Sequence, residues 1–284
     1  LGVYEKLCFE QGIPFKQGKN SVTLSGKIQS GKYSVRGDVS SQFISGLMFA
    51  LPLLENDSII DIEGALESGS YLGLTVKALA DFGVRISRED EHTIRIKGSQ
   101  IYKKRDISVE GDYSNAAFLD AFNYLGSNVH IGNLKPDSLQ GDRVYKDYFR
   151  QISEGTPTLD ISDCPDLGPI LFALAAMKNG AVFTGTERLK AKESDRGMAM
   201  HEELQKLDGS LIFGDNTITV PKQTLQYHGT VLNGHNDHRI VMALSVILSQ
   251  IGGSIEGAEA IRKSYPGFFR DIEMLGAEVT AYGM

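Results

Sequence analysis

The sequence contains four segments that share one order of predicted elements, and this repetition constrains the fold more than any other feature. In each segment a polar turn opens an apolar helix, a glycine turn and a β-branched strand follow, and a second polar loop opens a second helix. The predicted strands of the four segments are 58–62, 128–131, 181–184 and 254–255. Most segments close with two short strands, as in 83–87 with 93–97 and in the predicted hairpin of 210–213 with 217–220. The opening turns recur about every 66 residues, at 37–42, 111–114, 163–166 and 235–238.

The repeated unit is therefore βαβαββ, which predicts a mixed α/β (α+β) protein whose helices are covered by sheet or by other helices. The 284 residues are enough for about two domains, each with its own core. A solenoid is the alternative, but a unit of about 66 residues is long for one. We therefore expect globular domains with internal pseudo-symmetry.

Composition argues against several classes of protein. The formal charge of −7 gives no support to a nucleic-acid-binding or anionic-membrane surface. The longest apolar stretches, 44–54 and 240–248, are shorter than the roughly 18–20 residues of a membrane span. Two cysteines cannot build a disulfide framework, so we expect a reducing compartment, the cytoplasm. A small anionic ligand stays a candidate, because a few clustered cations can outweigh the net charge locally.

Cations stand at equivalent places in the repeats, where turns meet helices. Arg196 opens a helix at the end of the charged segment 190–196. Arg239 directly precedes the apolar segment 240–248, which we expect to be a buried helix, so this charge must be paired or emerge at the helix mouth. Lys263 lies in the corresponding loop of the last repeat. Because helix N-termini bind phosphate and carboxylate, these cations predict an anion site if the repeats share a centre.

The acidic and histidine residues of the same turns have simpler interpretations. Asp112, Asp166 and Asp237, each taken alone, are predicted to be helix N-caps. His235 and His238 have the i, i+3 spacing of metal ligands, but no further Cys or His stands nearby, so we predict no zinc site.

Motifs of other chemistries are missing from the sequence. It has no Gly-x-Gly-x-x-Gly after a strand and no P-loop, which counts against nucleotide cofactors. Cys164 stands beside Pro165 and Asp166, but nothing local favours a lowered pKa for its thiol. We therefore interpret Cys164 as a small apolar residue rather than a nucleophile.

Five motifs occur along the chain in this order: Ser-Ser-Gln-Phe at 40–43, Gln-Gly-Asp at 140–142, Lys-Glu-Ser-Asp-Arg at 192–196, Asn-Asp-His-Arg at 236–239 and Lys-Ser-Tyr-Pro at 263–266. Together they resemble the EPSP synthase (3-phosphoshikimate 1-carboxyvinyltransferase) family. The resemblance covers essentially the whole chain, and the third and fourth motifs are specific in combination. It implies the two-domain, inside-out α/β barrel-like fold of the enolpyruvyl transferases, with three βαβαββ units in each domain.

The resemblance also implies domain boundaries. Residues 1–109 correspond to an incomplete first domain, and residues 110–284 to nearly all of the second. The first ten residues predict the middle of an amphipathic helix without an N-cap or an initiator methionine. We therefore expect the N-terminal third of the family's length to be missing, together with its phosphate ligands. This chain alone is expected to be inactive or nearly so.

Chemically, the resemblance implies transfer of the enolpyruvyl group of phosphoenolpyruvate to the 5-hydroxyl of shikimate 3-phosphate, with release of phosphate. This reaction belongs to the shikimate pathway of aromatic amino acid biosynthesis. Two anionic substrates need several cations, and addition–elimination needs groups that move protons. No cofactor, metal, nucleic acid or membrane partner is implied. The full-length enzyme is expected to be a monomer and a target of glyphosate.

The resemblance implies roles residue by residue. Asp166 matches the base for the attacking hydroxyl, Glu193 matches the acid for the methylene carbon, and Lys192 is a third candidate for proton transfer. The implied ligands of shikimate 3-phosphate are Ser40, Ser41, Gln42, Ser68, Tyr71, Asp166 and Lys192. The implied ligands of phosphoenolpyruvate are Gln42, Arg196, Arg239 and Lys263. Arg188 stands where some members carry Asn, and its role is left open.

Three rival interpretations follow from the same residues. The related UDP-N-acetylglucosamine enolpyruvyl transferases generally use a loop cysteine, and neither Cys8 nor Cys164 stands in a matching context. An RNA cyclase, of related fold, would need an acceptor histidine and a basic face. The rival of a different class is a non-catalytic fold fragment that binds a ligand or partner without turnover.

Overall fold

The computed structural model describes residues 2–37, 41–64 and 69–282. The chain forms two compact units, Leu1–Ser108 and Val109–Met284. Each unit contains helices and a four-stranded sheet, which confirms the predicted mixed α/β class. The assignment of the two units to a first and a second enolpyruvyl transferase domain stays a prediction.

The first unit begins with helix α1 (Gly2–Glu10), in agreement with the amphipathic pattern of the first residues. A small antiparallel hairpin follows, and its strands are β1 (Phe15–Gln17) and β2 (Val22–Leu24). The remaining elements are β3 (Lys32–Arg36), α2 (Ser41–Ala50), a 3-10 turn (Leu51–Leu53), β4 (Ser58–Glu63), α3 (Gly69–Asp81), β5 (Ile86–Arg88) and β6 (Thr93–Ile96).

The sheet of the first unit has the strand order β3-β4-β6-β5. Strands β3 and β4 are parallel, with Tyr33 opposite Ile60, and β6 runs antiparallel to both β4 and β5. Tyr33 and Ile60 are buried in a core that also contains residues of α2 and α3. The hydroxyls of Ser45 and Thr75 lie 2.8 Å apart and join the two helices. The segment 32–96 is therefore one βαβαββ unit.

The second unit contains the remaining helices and strands. Its elements are α4 (Tyr113–Tyr124), α5 (Tyr145–Glu154), β7 (Thr158–Asp160), α6 (Gly168–Met177), β8 (Ala181–Thr184), α7 (Arg196–Gln205), β9 (Ile212–Gly214), β10 (Thr217–Val220), β11 (Leu232–Asn233), α8 (His238–Ile251), β12 (Ile255–Glu256) and α9 (Phe268–Met274). Short 3-10 helices precede or follow several of them, at Gly141–Val144, Pro165–Leu167, Glu187–Ala191 and Ala258–Lys263.

The larger sheet of the second unit repeats the topology of the first. Its order is β7-β8-β10-β9, with β7 parallel to β8 and with β10 antiparallel to β8 and to β9. The segments that open at 37 and at 163 thus fold into the same βαβαββ arrangement, which confirms the repetition seen in the sequence. The segment around 235 keeps its helix pair and forms only a smaller parallel ladder, β11 with β12. The segment that opens at 111 keeps helices α4 and α5, and no strand is assigned among its described residues between them.

Helices α6 and α8 form the centre of the second unit. They pack against each other, and the first nine residues of α6 and the first ten of α8 are all buried. This confirms the prediction that the apolar segment after Arg239 is a buried helix. Among the described residues, no helix is both long enough and apolar enough to cross a membrane.

One predicted strand is wrong. Residues 128–131 were expected to form a strand of the second segment, but the structure assigns none to these described residues. The Asn123 side chain binds the backbone there instead: its Nδ2 donates to the carbonyl O of Val129 at 2.8 Å, and its Oδ1 accepts from the Val129 N–H. Polar backbone groups that would bond a neighbouring strand are thus satisfied by a side chain.

Candidate active site

Three helix N-termini of the second unit bring charged side chains together. Asp166 lies in the 3-10 helix that leads into α6, Arg196 is the first residue of α7, and Arg239 is the second residue of α8. These residues come from three different turns of the repeats, and direct ion pairs link them. The predicted convergence of repeat-equivalent loops is therefore present within this unit.

Arg196 is the centre of the cluster and is fully buried. Its Nη1 donates to Asp166 at 2.6 Å, its Nη2 to Glu193 at 2.6 Å, and its Nε to Asp237 at 2.9 Å. Burial alone would lower the pKa of this guanidinium, but the surrounding carboxylates outweigh burial and raise it. A guanidinium is planar and carries its donors in a fixed fork, so one Arg can order three carboxylates.

Asp166 is the carboxylate around which the cations gather. Besides Arg196, it contacts Lys192 Nζ at 3.1 Å and Arg239 Nη2 at 3.3 Å. Burial would raise the pKa of Asp166, yet the three positive charges outweigh it and hold that pKa well below its usual range. The carboxylate is therefore ionised at neutral pH and is a strong hydrogen-bond acceptor.

Asp237 is the fully buried carboxylate of the cluster, and it also caps a helix. It is the N-cap of α8 and accepts from the Arg239 N–H at 2.9 Å. Its other oxygen accepts from Ser194 Oγ at 3.0 Å and from Arg196. Burial would raise the pKa of Asp237, but Arg196 and these hydrogen bonds lower it. The cap prediction for this residue is confirmed, and the ion pair is an additional role.

The other two cap predictions have opposite outcomes. Asp112 caps α4 and accepts from the Ser114 N–H at 2.8 Å. Asp166 does not cap α6, whose N-cap is Leu167 with no side-chain cap bond. The Asp166 side chain points instead at the cations, so the local cap pattern was misleading at this position.

Arg239 links the cluster to helix α4. Its Nη1 donates to Ser114 Oγ, and its side chain is almost fully buried. Among the described residues its Nε has no hydrogen-bond partner. Ser114 was not predicted as a site residue, because it is distant in sequence and its turn resembles an ordinary helix cap.

Asp142 belongs to the Gln-Gly-Asp motif at 140–142 and lies close to Arg239 and Ser114. It is buried, and burial together with the nearby charge of Asp166 raises its pKa to about 7. The charge of Arg239 and a hydrogen bond with Ser114 act in the opposite direction but do not cancel the rise. Asp142 is therefore a carboxylate that changes its charge near neutral pH.

We expect the variant Asp142→Asn to gain stability relative to the wild type as the pH rises. An aspartate in an unfolded chain has a pKa near 4, so the folded protein binds this proton more tightly than the unfolded chain. The wild type therefore loses stability as the pH rises through about 7, by roughly 3 kcal/mol between pH 5 and pH 8. Urea unfolding of both proteins at the two pH values measures the difference, and parallel pH profiles would contradict the raised pKa.

The remaining predicted residues of this unit are less buried than Arg196. Lys192 and Glu193 stand four and three residues before it, and the side chain of Glu193 is 39% exposed. Lys263 is exposed, and its Nζ donates to the carbonyl O of Asn236. Arg188 donates to the carbonyl O of Ser162 at 3.5 Å. The cluster thus has a buried base and an accessible rim.

The predicted residues of the first unit are placed by their own helices. Ser41 is the buried first residue of α2, and Gln42 is exposed beside it. Tyr71 is an exposed residue of α3. Ser40 and Ser68 lie outside the described residues.

A separate group contains the histidine that the sequence analysis considered for metal binding. His235 lies with Glu202 and Glu203, and their ligand atoms are all within 4.8 Å of one another. The i, i+3 spacing suggested His238 as a second ligand beside His235. In the structure the partners of His235 are instead the carboxylates of Glu202 and Glu203 in α7. The Lys206 ammonium lies 2.8 Å from Glu203, however, and competes with any cation.

Cys164 is buried close to the cluster. Burial, with the negative charges of nearby aspartates, raises the pKa of its thiol well above its usual value. A thiol in this environment is a poor nucleophile. The geometry agrees with the interpretation of Cys164 as a small apolar residue.

Solved structures with this fold are known. An EPSP synthase from Acinetobacter baumannii aligns with 98% of this chain and 72% of its own, with a TM-score of 0.77 and 20% sequence identity. The enolpyruvyl transferase NikO from Streptomyces tendae aligns with 99% of this chain and 73% of its own, with a TM-score of 0.72 and 13% identity. At these identities the likeness establishes the fold alone.

Sequence comparison gives the family. The family model of EPSP synthase (3-phosphoshikimate 1-carboxyvinyltransferase) matches residues 11–272. Proteins named 3-phosphoshikimate 1-carboxyvinyltransferase from Clostridium kluyveri and Clostridium novyi are 40% and 38% identical to this chain. The matches cover 100% of this chain and 71% and 70% of those proteins. The chain therefore belongs to the EPSP synthase family of transferases.

Proposed function

We propose that the gene product that contains this sequence transfers the enolpyruvyl group of phosphoenolpyruvate to the 5-hydroxyl of shikimate 3-phosphate and releases phosphate. Family membership supports the reaction. The observation that carries the proposal is the set of three cations, Arg196, Arg239 and Lys192, gathered on the ionised Asp166. Such a cluster suits anionic substrates, because its cations are already ordered before a substrate arrives.

The proposed ligands of phosphoenolpyruvate are Arg196, Arg239, Lys263 and Gln42. In the structure, every guanidinium nitrogen of Arg196 already bonds a carboxylate. An incoming phosphate or carboxylate therefore competes with these partners for the guanidinium. Glu193 is the most exposed of them and is the one that a substrate displaces.

We assign the role of general acid to Glu193, whose side chain is the most exposed of the carboxylates bonded to Arg196. Glu193 then protonates the C3 methylene carbon of phosphoenolpyruvate, while the 5-hydroxyl oxygen of the other substrate bonds to C2 and releases its proton through Asp166 to water. The resulting methyl group next returns a proton to the Glu193 carboxylate, and the C2–O bond to phosphate breaks to release phosphate and form the enol ether.

Asp166 accepts the hydrogen bond of the attacking hydroxyl in this proposal. Its strongly lowered pKa makes it a weak proton acceptor but a firm anchor for that hydroxyl. Lys192, 3.1 Å from Asp166, is placed to take part in the same proton transfer. Orientation of the hydroxyl is therefore the main contribution that we assign to Asp166.

The proposed ligands of shikimate 3-phosphate combine two groups of residues. Asp166 and Lys192 come from the cluster, and the motif match supplies Ser40, Ser41, Gln42, Ser68 and Tyr71. Hydroxyl and amide groups hydrogen-bond a phosphate and ring oxygens without adding charge. We include in the proposal that the enzyme is a monomer, a glyphosate target and cytoplasmic, a compartment that suits the two free, buried cysteines.

Turnover with defined acceptors tests the proposed function. The gene product that contains this sequence is incubated with phosphoenolpyruvate and either shikimate 3-phosphate or UDP-N-acetylglucosamine, and ³¹P NMR follows phosphate release. We expect release only with shikimate 3-phosphate. Release with the sugar nucleotide instead would favour the related transferase, and ligand binding without any release would favour a non-catalytic protein.

A further inference from the structure

Helix α7 contacts the loop before α8 at two places. Arg196 at its start pairs with Asp237, and Glu203, seven residues later, bonds the same loop at Asn233 and His235. Residues seven apart lie on one face of a helix, two turns from each other. The loop 233–237 is therefore fixed to α7 at both of its ends.

Glu203 is the more deeply enclosed of two neighbouring glutamates, with only 1% of its side chain exposed. Its Oε2 accepts from the Asn233 N–H at 2.8 Å, and its Oε1 lies 2.7 Å from His235 Nε2. Lys206 Nζ donates to both oxygens, at 3.0 and 2.8 Å. A buried carboxylate is tolerated only with such partners, and here two of the three belong to the loop.

The loop has a backbone that its surroundings must maintain. His235 and Asn236 have φ values of +49° and +51°, so two consecutive residues other than glycine adopt the left-handed conformation. Non-glycine residues adopt it infrequently, and a pair persists only where neighbouring structure holds it. The bonds to Glu203 supply that restraint on the side of α7.

The loop contacts the cations that we assign to phosphoenolpyruvate. The carbonyl O of Asn236 accepts from Lys263 Nζ, and Asp237 pairs with Arg196. Arg239 stands two residues after Asp237, and its backbone N–H donates to the Asp237 side chain. A shift of this loop would therefore move the cations that we assign to phosphoenolpyruvate.

A metal site is the other chemistry that Glu202, Glu203 and His235 offer. Their ligand atoms are close enough for one ion. The Lys206 ammonium already bonds both oxygens of Glu203, however, and a cation there would have to displace it. The contacts therefore favour a positioning role over metal binding.

We propose that Glu203 is a positioning residue for phosphoenolpyruvate, acting through the loop 233–237 on Lys263 and Arg239. This inference rests on the proposed function. Because Glu203 does not touch the reacting atoms, it affects the affinity for phosphoenolpyruvate much more than the rate of the bound complex. The KM for shikimate 3-phosphate stays near that of the wild type.

The variant Glu203→Gln tests this role, with Glu202→Gln as the matched control. Glutamine has the same shape, but its amide NH2 turns one hydrogen-bond donor toward the donors of the loop and of Lys206. We expect the KM for phosphoenolpyruvate to rise at least tenfold in Glu203→Gln, with kcat within threefold of the wild type. Glu202 is exposed and 3.9 Å from His235, so its variant should match the wild type in both constants. An unchanged KM in Glu203→Gln, or equal losses in kcat and affinity, would overturn the proposal.

Two further measurements keep the test decisive. Amide hydrogen exchange of residues 233–237 should be about tenfold faster in Glu203→Gln than in Glu202→Gln, whether or not the protein turns over these substrates; equal exchange would overturn the positioning role by itself. If Glu203→Gln does not fold, His235→Ala removes one of the loop contacts and should raise the KM for phosphoenolpyruvate in the same direction. A wild-type KM that changes severalfold with EDTA or added Zn²⁺ would overturn the proposal in favour of a metal site.

Discussion

Replacing Asp237 with alanine is expected to destabilise the second unit by roughly 4–6 kcal/mol. The change leaves the buried Arg196 without the carboxylate that bonds its Nε, and breaking a buried ion pair in this way typically costs about 3–5 kcal/mol. It also removes the N-cap of α8, which is worth about 1 kcal/mol. Urea unfolding followed by circular dichroism measures the loss.

Two control variants separate these contributions. Asp112→Ala removes only a cap, since Asp112 is exposed and caps α4, so we expect a loss of about 1 kcal/mol. Asp237→Asn keeps an N-capping side chain and removes the charge, so its loss should lie between the other two. If Asp237→Ala cost no more than Asp112→Ala, the ion pair with Arg196 would not stabilise the fold.

The cost of Asp237→Ala should also depend on pH. The pKa of Asp237 is lowered in the folded protein, so its contribution to stability is present above the unfolded pKa of about 4. The contribution is lost as the pH falls through the lowered, folded-state pKa, because the carboxyl group is then protonated in both the folded and the unfolded state. The wild type and the variant should therefore converge in stability under acid conditions.

Replacing Glu193 with glutamine is expected to lower kcat by roughly 10²–10⁴-fold, the usual contribution of a general acid. Glutamine still offers an oxygen to Arg196 Nη2, so the cluster and the fold should survive. It cannot supply a proton to the methylene carbon. Steady-state kinetics with both substrates, together with the unfolding midpoint, distinguish lost chemistry from lost structure.

The matched control for this variant is Glu187→Gln. Glu187 lies six residues earlier, its side chain is 74% exposed, and its ion-pair partner is Lys190 on the surface. We expect wild-type kinetics from it. A kcat in Glu193→Gln equal to that of Glu187→Gln would remove Glu193 from the mechanism.

The fold was predictable where the repetition was local. The βαβαββ order, the buried helix after Arg239 and the hairpin of β9 with β10 all depend on patterns within a few tens of residues. The predicted strand at 128–131 failed because Asn123 binds the backbone of Val129, and a specific side-chain bond of this kind leaves no periodic signal. Sequence patterns predicted the helices and strands, and one polar side-chain contact explains the strand that is missing.

The candidate site was predictable in its members but not in its connections. The repeats pointed to Arg196 and Arg239, and the motif match pointed to Asp166 and Glu193. The sequence could not show that Ser114 bonds Arg239, because 125 residues separate them. Asp237 illustrates the same limit: an aspartate before a helix predicts a cap, and only the folded chain brings Arg196 to its other oxygen.

The most direct test of this account is deuterium incorporation during turnover in D2O. If the gene product that contains this sequence adds a proton at C3 and later removes one, a solvent deuteron enters the methyl group of the intermediate. Loss of one of its three hydrogens then leaves deuterium in the methylene of the product. We predict that the wild type gives a deuterated product, read by NMR. In Glu193→Gln, both product and deuterated phosphoenolpyruvate should form much more slowly than in the wild type. Product without deuterium, or undiminished incorporation in the variant, would contradict enolpyruvyl transfer at this cluster.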